Sequence, residues 1–286
     1  MFQDKAQPTY TVREHLTGPV NHPHEEIYQQ IRSNIRRQLP QIQQFPPNDY
    51  KVMLLCGGPT LNDHVEEIKR KRQQGWKIIT VNGTHNWCLD HGLEPSMCVV
   101  MDARPINKGF VEEPVKNCRY MLCSQTHGDI FDALKGHDVW VWHGGAPSSI
   151  EKRILDRYYR KRWLIVPGGT SVGPRAIFLS YILGIRRLDV YGLDGCLRKD
   201  RHHAYAQKQN NYREVLVVKV GRRKFHMHAW MLKQFDEWLQ MVPMIPDDLK
   251  TTVKGTGAMA HVVEYAASHK RPPPMEVLTK LDMETR

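Results

Sequence analysis

From residue 50 onward the chain alternates short, unbroken apolar runs with segments of helical length, and this alternation restricts the fold more than any other feature. The runs cover 50–56, 77–81, 97–101, 120–123, 139–142, 164–166 and 188–191, with helical patterns over 62–74, 130–134 and 173–183. Strands buried on both faces read as continuous apolar runs, and parallel neighbours need a crossover helix between them. The pattern predicts an α/β, Rossmann-like, doubly wound and mostly parallel sheet over 50–196, with helical N- and C-terminal additions. Residues 1–49 read as a polar arm followed by an amphipathic helix over 25–44, with Ile27, Ile31, Ile35, Leu39 and Ile42 on one face and Pro46-Pro47 closing it. In the stretch 197–270, runs 215–220 and 223–227 predict a hairpin around Gly221-Arg222, and 229–241 and 258–269 predict helices packed on the core. Residues 271–286 begin with three successive prolines and are expected to be an extended, mobile tail.

No run approaches the roughly 18 apolar residues of a membrane helix, and the start, MFQDKAQPTYTV, lacks the apolar stretch of a secretory signal. No membrane association and a cytoplasmic setting are expected. Cys56, Cys88, Cys98, Cys118, Cys123 and Cys196 form no C-x-x-C pair, and several lie in apolar runs, so reduced thiols with no disulfide and no zinc are expected. The net charge of +11 favours an anionic partner. The excess is local: 197–228 holds nine Lys/Arg against two acids, and 151–162 holds six against two. Solvated basic faces are the plain alternative.

In an open parallel sheet, ligands bind beyond the carboxyl ends of the strands. The first run ends in Cys56-Gly57-Gly58-Pro59-Thr60-Leu61, where two glycines admit close backbone approach. Thr60 is placed to cap the next helix, whose first amides favour an anion. The loop is neither G-x-G-x-x-G nor a P-loop, and an ordinary βα turn fits it equally. Asn82 ends the second run, within reach of a base, a ribose or the neighbouring loop. Asp102 ends the third and suits metal or ribose contact, with pairing to Arg104 as the structural alternative. Gly168-Gly169-Thr170-Ser171-Val172-Gly173 is a second glycine-rich helix entry, suited to a phosphate or carboxylate. Its G-x-S-x-G spacing also fits a nucleophile elbow, but Asp194 and His203 follow too closely for a hydrolase of that type. Asp194 ends the last run, and His202-His203-Ala204-Tyr205 follows, with at most one of the adjacent imidazoles placed as a general base. His202, His203, His226 and His228 lack the spacing of a zinc motif.

The order Gly57-Gly58-Pro59-Thr60-Leu61, Val81-Asn82-Gly83, Leu93-Glu94-Pro95 before Asp102, Gly169-Thr170-Ser171-Val172-Gly173, Val190-Tyr191-Gly192-Leu193-Asp194 and His203-Ala204-Tyr205 resembles the 6-hydroxymethylpterin diphosphokinase MptE-like family. It departs at Ser96, where that family usually carries an Asp. The resemblance spans about 50–205. It implies a Rossmann-like transferase with a nucleotide at the glycine loops. Archaeal members move diphosphate from ATP to a hydroxymethyl acceptor with Mg²⁺, and a related branch, the motility accessory factors, glycosylates flagellin. By position, Gly57, Gly58, Pro59, Thr60, Gly169, Thr170 and Ser171 would hold a nucleoside triphosphate or nucleotide sugar. Asn82 and Asp102 would contact the donor or metal. Asp194 and His203 would face a hydroxyl-bearing acceptor, with Asp102 and Asp194 as the Mg²⁺ ligands. Many short members are encoded by bacteriophages, which with the basic residues Arg198, Lys199, Arg222, Arg223 and Lys224 makes DNA a candidate acceptor. A non-catalytic binding protein of the same fold is the rival expectation.

Overall fold

The computed structural model describes residues 22–144, 149–207 and 214–282. Strand β1 (Asn48–Leu55) shows why the apolar runs are continuous. Val52 and Leu54 enter one apolar layer and Met53 and Leu55 the other, and all four are at most 1 % exposed. Side chains alternate faces along a strand, so a strand covered on both sides needs apolar residues at every position.

The other six runs become β2 (Lys77–Val81), β3 (Met97–Val100), β4 (Arg119–Cys123), β5 (Asp138–Gly144), β6 (Ile165–Val166) and β7 (Ile185–Tyr191). Beyond them come β8 (Glu214–Val220), β9 (Arg223–Met227), β10 (Lys250–Lys254) and β11 (Met275–Asp282). Eight strands form one sheet in the order β10-β7-β1-β2-β3-β4-β5-β6, every neighbouring pair parallel. The helices are α1 (His24–Ile35), α2 (Val65–Gln73), α3 (Thr84–Asp90), α4 (Gly128–Ala133), α5 (Ser149–Tyr159), α6 (Val172–Ile182), α7 (Ala229–Met241) and α8 (Ala258–His269). The fold is an α/β, Rossmann-like one. Helix α6 lies on one face of the sheet, where its Ile177, Phe178 and Leu179 share a core with Phe235, Trp238 and Met259 of α7 and α8. Leu61, Ile68, Trp87 and Cys88 cover β1 and β2 on the other face.

Three expectations change. The sheet does not end at 196, because β10 adds a strand beyond β7. The tail after Lys270 is not free over its described length: β11 pairs antiparallel with β8 and makes a second sheet, β11-β8-β9, around the expected hairpin. Helix α1 ends at Ile35 rather than 44, because Pro40 lacks the N–H that a helix interior needs and restricts the residue before it. Residues 40–42 run along β5 instead, with Val141 N donating to Pro40 O at 2.8 Å and Ile42 N to Val141 O at 2.9 Å. The expected N-terminal arm lies outside the described residues up to position 21.

Helix α1 packs Ile31 and Ile35 against Leu155 of α5. Its buried Asn34 donates to the carbonyls of Ser124 and Thr126 at 3.0 and 2.7 Å, which covers the carboxyl end of β4. Beneath this cover lies His143, 2 % exposed. Its Nε2 is 3.3 Å from Gln41 Oε1, which only accepts, so Nε2 carries the proton and Nδ1 accepts from the Ser124 hydroxyl at 3.0 Å. Burial lowers the imidazole from an ordinary 6.5 to about 4. The unfolded chain therefore takes up this proton first as pH falls, so the neutral ring's contribution is whole above pH 6.5 and is lost toward pH 4. The loss is on the order of 3 kcal/mol. Thermal melts across that window are expected to show a falling Tm, and His143→Gln, which keeps polar partners but does not titrate, should flatten the fall.

All six cysteines are buried and unpaired. Among the described residues no helix is long and apolar enough to cross a membrane.

Candidate functional site

Strand order reverses at β1: β2 to β6 follow on one side, and β7 and β10 lie on the other. Such a switch point opens a crevice at the carboxyl ends of the strands. Three glycine-bearing loops meet there, Gly57-Gly58 after β1, Gly192 and Gly195 after β7, and Gly255 and Gly257 after β10.

Asp194 clamps these loops together. Its Oδ2 accepts the Thr60 N–H at 2.8 Å, its Oδ1 accepts the Thr60 hydroxyl at 2.7 Å, and its carbonyl accepts Met259 N–H at 3.0 Å. Gly58 N donates to Gly192 O at 2.8 Å. The loops touch so closely that a Cβ on Gly58 or on Gly257 would stand 2.4 Å from an Asp194 carboxylate oxygen. Asp194 is 2 % exposed, and burial pushes its carboxyl above the usual range against the pull of Thr60's two hydrogen bonds. The residue expected to face an acceptor or a metal is thus buried, with both carboxylate oxygens engaged by Thr60. Thr60, expected to cap a helix, gives its hydroxyl to Asp194, and the segment that follows Gly58 is a 3₁₀ turn, Pro59–His64.

A strap, residues 202–205, crosses the crevice. Ala204 N donates to Gly57 O at 2.9 Å, Asn62 Nδ2 donates to Ala204 O at 2.8 Å, and the Tyr205 hydroxyl lies 3.3 Å from Thr84 Oγ1. The Cδ2–Nε2 edge of His203 faces Gly57, with Cδ2 only 2.8 Å from where a Cβ would stand. Burial, and then the neighbouring His202, lower the His203 imidazole to about 3, so it is neutral at physiological pH.

The remaining expected residues divide. Asn82, in the left-handed region with φ 45°, accepts Met101 N–H on Oδ1 at 3.0 Å and ties the end of β2 to that of β3. Asp102 is held by Arg104, Nε to Oδ1 at 3.0 Å and Nη2 to Oδ2 at 2.8 Å, so the structural alternative is the observed one. In the second glycine loop, the Thr170 N–H and hydroxyl both donate to Glu237 Oε2 of α7 at 2.7 Å, so a carboxylate sits where an anion was expected. Ser171 is the N-cap of α6 without a side-chain capping bond. Gly173, in the first turn of α6, brings that helix end to the crevice, since a Cβ there would lie 2.9 Å from Leu193 and 3.2 Å from Cys56 Sγ.

Asp102 and Asp194 follow strands three positions apart in the sheet, roughly 14 Å at the usual strand spacing. With one committed to Arg104 and the other to Thr60, they do not fit a shared magnesium ion. The basic residues also separate. Arg198 pairs with Asp63 at 2.5 Å beside the crevice, with Lys199 next to it, whereas Arg222, Arg223 and Lys224 occupy the β8–β9 turn and the start of β9. Three contributors were not anticipated: Gly255, Gly257 and Glu237. A glycine-threonine-glycine entry to the alanine-rich start of α8 was the available signal for the first two.

Residues 25–200 match the profile of the family described as 6-hydroxymethylpterin diphosphokinase MptE-like. No curated protein sequence matches the chain. Among solved structures, the MAf glycosyltransferase from Magnetospirillum magneticum AMB-1 is similar over 82 % of this chain, with 14 % identity and a TM-score of 0.57. The chain spans 37 % of that protein's length. A mammalian sialyltransferase in complex with Gal-beta-1-3GalNAc-ortho-nitrophenol aligns over 82 % of this chain and 86 % of its own, with 10 % identity and a TM-score of 0.39. The family profile covers more than half of the 286 residues, and the chain belongs to the 6-hydroxymethylpterin diphosphokinase MptE-like family.

Proposed function

We propose that the chain is a nucleotide-dependent transferase that carries a sugar from a nucleotide donor in the switch-point crevice to a hydroxyl acceptor. The observation that carries this reading is the neutral His203 imidazole held edge-on to Gly57. An unprotonated imidazole can take a proton, burial making this one a weaker base than an exposed histidine, and it stands at the loop where backbone can approach a donor closely. As the acceptor oxygen bonds to the anomeric carbon, its proton passes to His203. The bond from that carbon to the donor phosphate breaks, and its electron pair leaves with the phosphate oxygen. The first turn of α6 abuts the crevice through Gly173, and the positive end of that helix supplies potential for the departing phosphate, while the Met259 amide of α8 is given to Asp194. Asp194 acts through Thr60 by fixing the loops.

The commitment of Asp102 and Asp194 to protein partners supports sugar transfer, which needs no metal bridge between phosphates. Diphosphoryl transfer from a nucleoside triphosphate is the second reading, favoured by the family match. Product analysis separates them, with water standing in for the acceptor as slow donor hydrolysis. Sugar transfer releases the nucleotide from a nucleotide sugar. Diphosphoryl transfer releases a nucleoside monophosphate from a triphosphate and would replace the first reading. A donor that binds and is never consumed would overturn both in favour of a binding protein.

A further inference from the structure

We propose that Trp230, His202 and His203 form the acceptor subsite and that it takes a neutral, hydroxyl-bearing sugar ring. The proposal rests on the transferase reading above and names its acceptor class. Trp230 opens α7 and is partly exposed. His202 stands edge-on to it at 6.1 Å between ring centroids and edge-on to His203 at 4.7 Å, while His228 stacks on the indole at 6.4 Å. His228 is itself fixed by donating from Nδ1 to Glu214 O at 2.7 Å. A wall of rings thus leads from Trp230 to the imidazole at Gly57.

Two buried polar atoms on this wall have no hydrogen-bond partner: Trp230 Nε1 and His203 Nδ1. Buried polar atoms are nearly always bonded, and a buried indole N–H normally finds an acceptor. Their chemistry restricts the partner. The indole offers only a donor, and the imidazole nitrogen either donates or accepts. A hydroxyl gives and accepts, and a sugar ring carries several hydroxyls around an apolar face that suits an aromatic wall. His203 is the shared element: its Cδ2–Nε2 edge faces the donor loop, and Nδ1 lies on the opposite edge of the ring. Trp230 lies well beyond position 200, where the family match ends.

The test uses the whole protein with ¹⁵N-labelled tryptophan. The chain has seven tryptophans, and Trp230→Phe assigns the Trp230 indole resonance by its loss. Titration with methyl galactoside, methyl glucoside and N-acetylglucosamine is expected to shift that resonance for at least one sugar, while inorganic phosphate leaves it in place. Saturation transfer from wild-type protein to the same sugar gives a second readout that needs no variant. A Trp230 resonance unmoved by every sugar, in protein that still binds a nucleotide donor, overturns the subsite and leaves the transferase reading standing. A shift with phosphate but none with sugars also overturns it, and so does a shift with 6-hydroxymethylpterin alone.

Discussion

Asp194→Ala is expected to lower the melting temperature by roughly 6–12 °C and to remove donor binding, while Asp194→Asn keeps most of both. The Ala variant strands the Thr60 N–H and hydroxyl, two buried donors, without an acceptor. Leaving such groups unmet costs about 3 kcal/mol together. It also unties the β1 and β7 loops from the entry to α8, which Gly257 brings against the Asp194 carboxylate. The Asn variant preserves the pattern: its oxygen accepts the Thr60 N–H, and its NH₂ donates to the Thr60 oxygen, which can accept. Because burial already disfavours the Asp194 charge, losing that charge is tolerated. Thermal melts and nucleotide titrations of both variants check this. An Ala variant that melts with the wild type would remove the clamp from the account.

His203→Ala is expected to reduce turnover by about 10²–10⁴-fold while donor affinity stays within a few-fold. The strap keeps its place, because Ala204 bonds to Gly57 through the backbone and Tyr205 reaches Thr84. The pH profile of kcat/KM carries the sign of the shift. An exposed histidine base would lose activity as pH falls through 6.5, whereas His203 stays unprotonated down to about 3, so no acid limb is expected near 6.5 in the free enzyme. An Ala variant with full turnover would reassign the base.

What the sequence made legible follows from burial. Strands β1 to β7 were readable because the sheet's faces are both covered, which forces unbroken apolar runs. Strand β10, Lys250-Thr-Thr-Val-Lys254, was not, because an edge strand needs no such run and its residues are partly exposed. Pro40 carried the signal for the early end of α1, but the isoleucine spacing that continues past it pointed the other way. The glycine loops and the strand-end aspartates were visible as residues, yet their roles depend on sheet order. Asp194 meets Thr60 because β7 lies beside β1 and not beside β6, a fact of topology that local sequence does not carry. Glu237 meets Thr170 across 67 positions through the packing of α7, with no local signature at all.

A nucleotide donor held in the β1–β7–β10 crevice is read out by a thermal-shift panel. The panel comprises ATP, GTP, CTP and UTP with common nucleotide sugars, each with and without Mg²⁺. A ligand at 100 times its dissociation constant stabilises by roughly 2.7 kcal/mol, a rise of about 5–11 °C for a chain of this size. Such a rise is expected for at least one nucleotide sugar without Mg²⁺, and its loss in Asp194→Ala. Folded wild-type protein that answers to no nucleotide and no nucleotide sugar would contradict it.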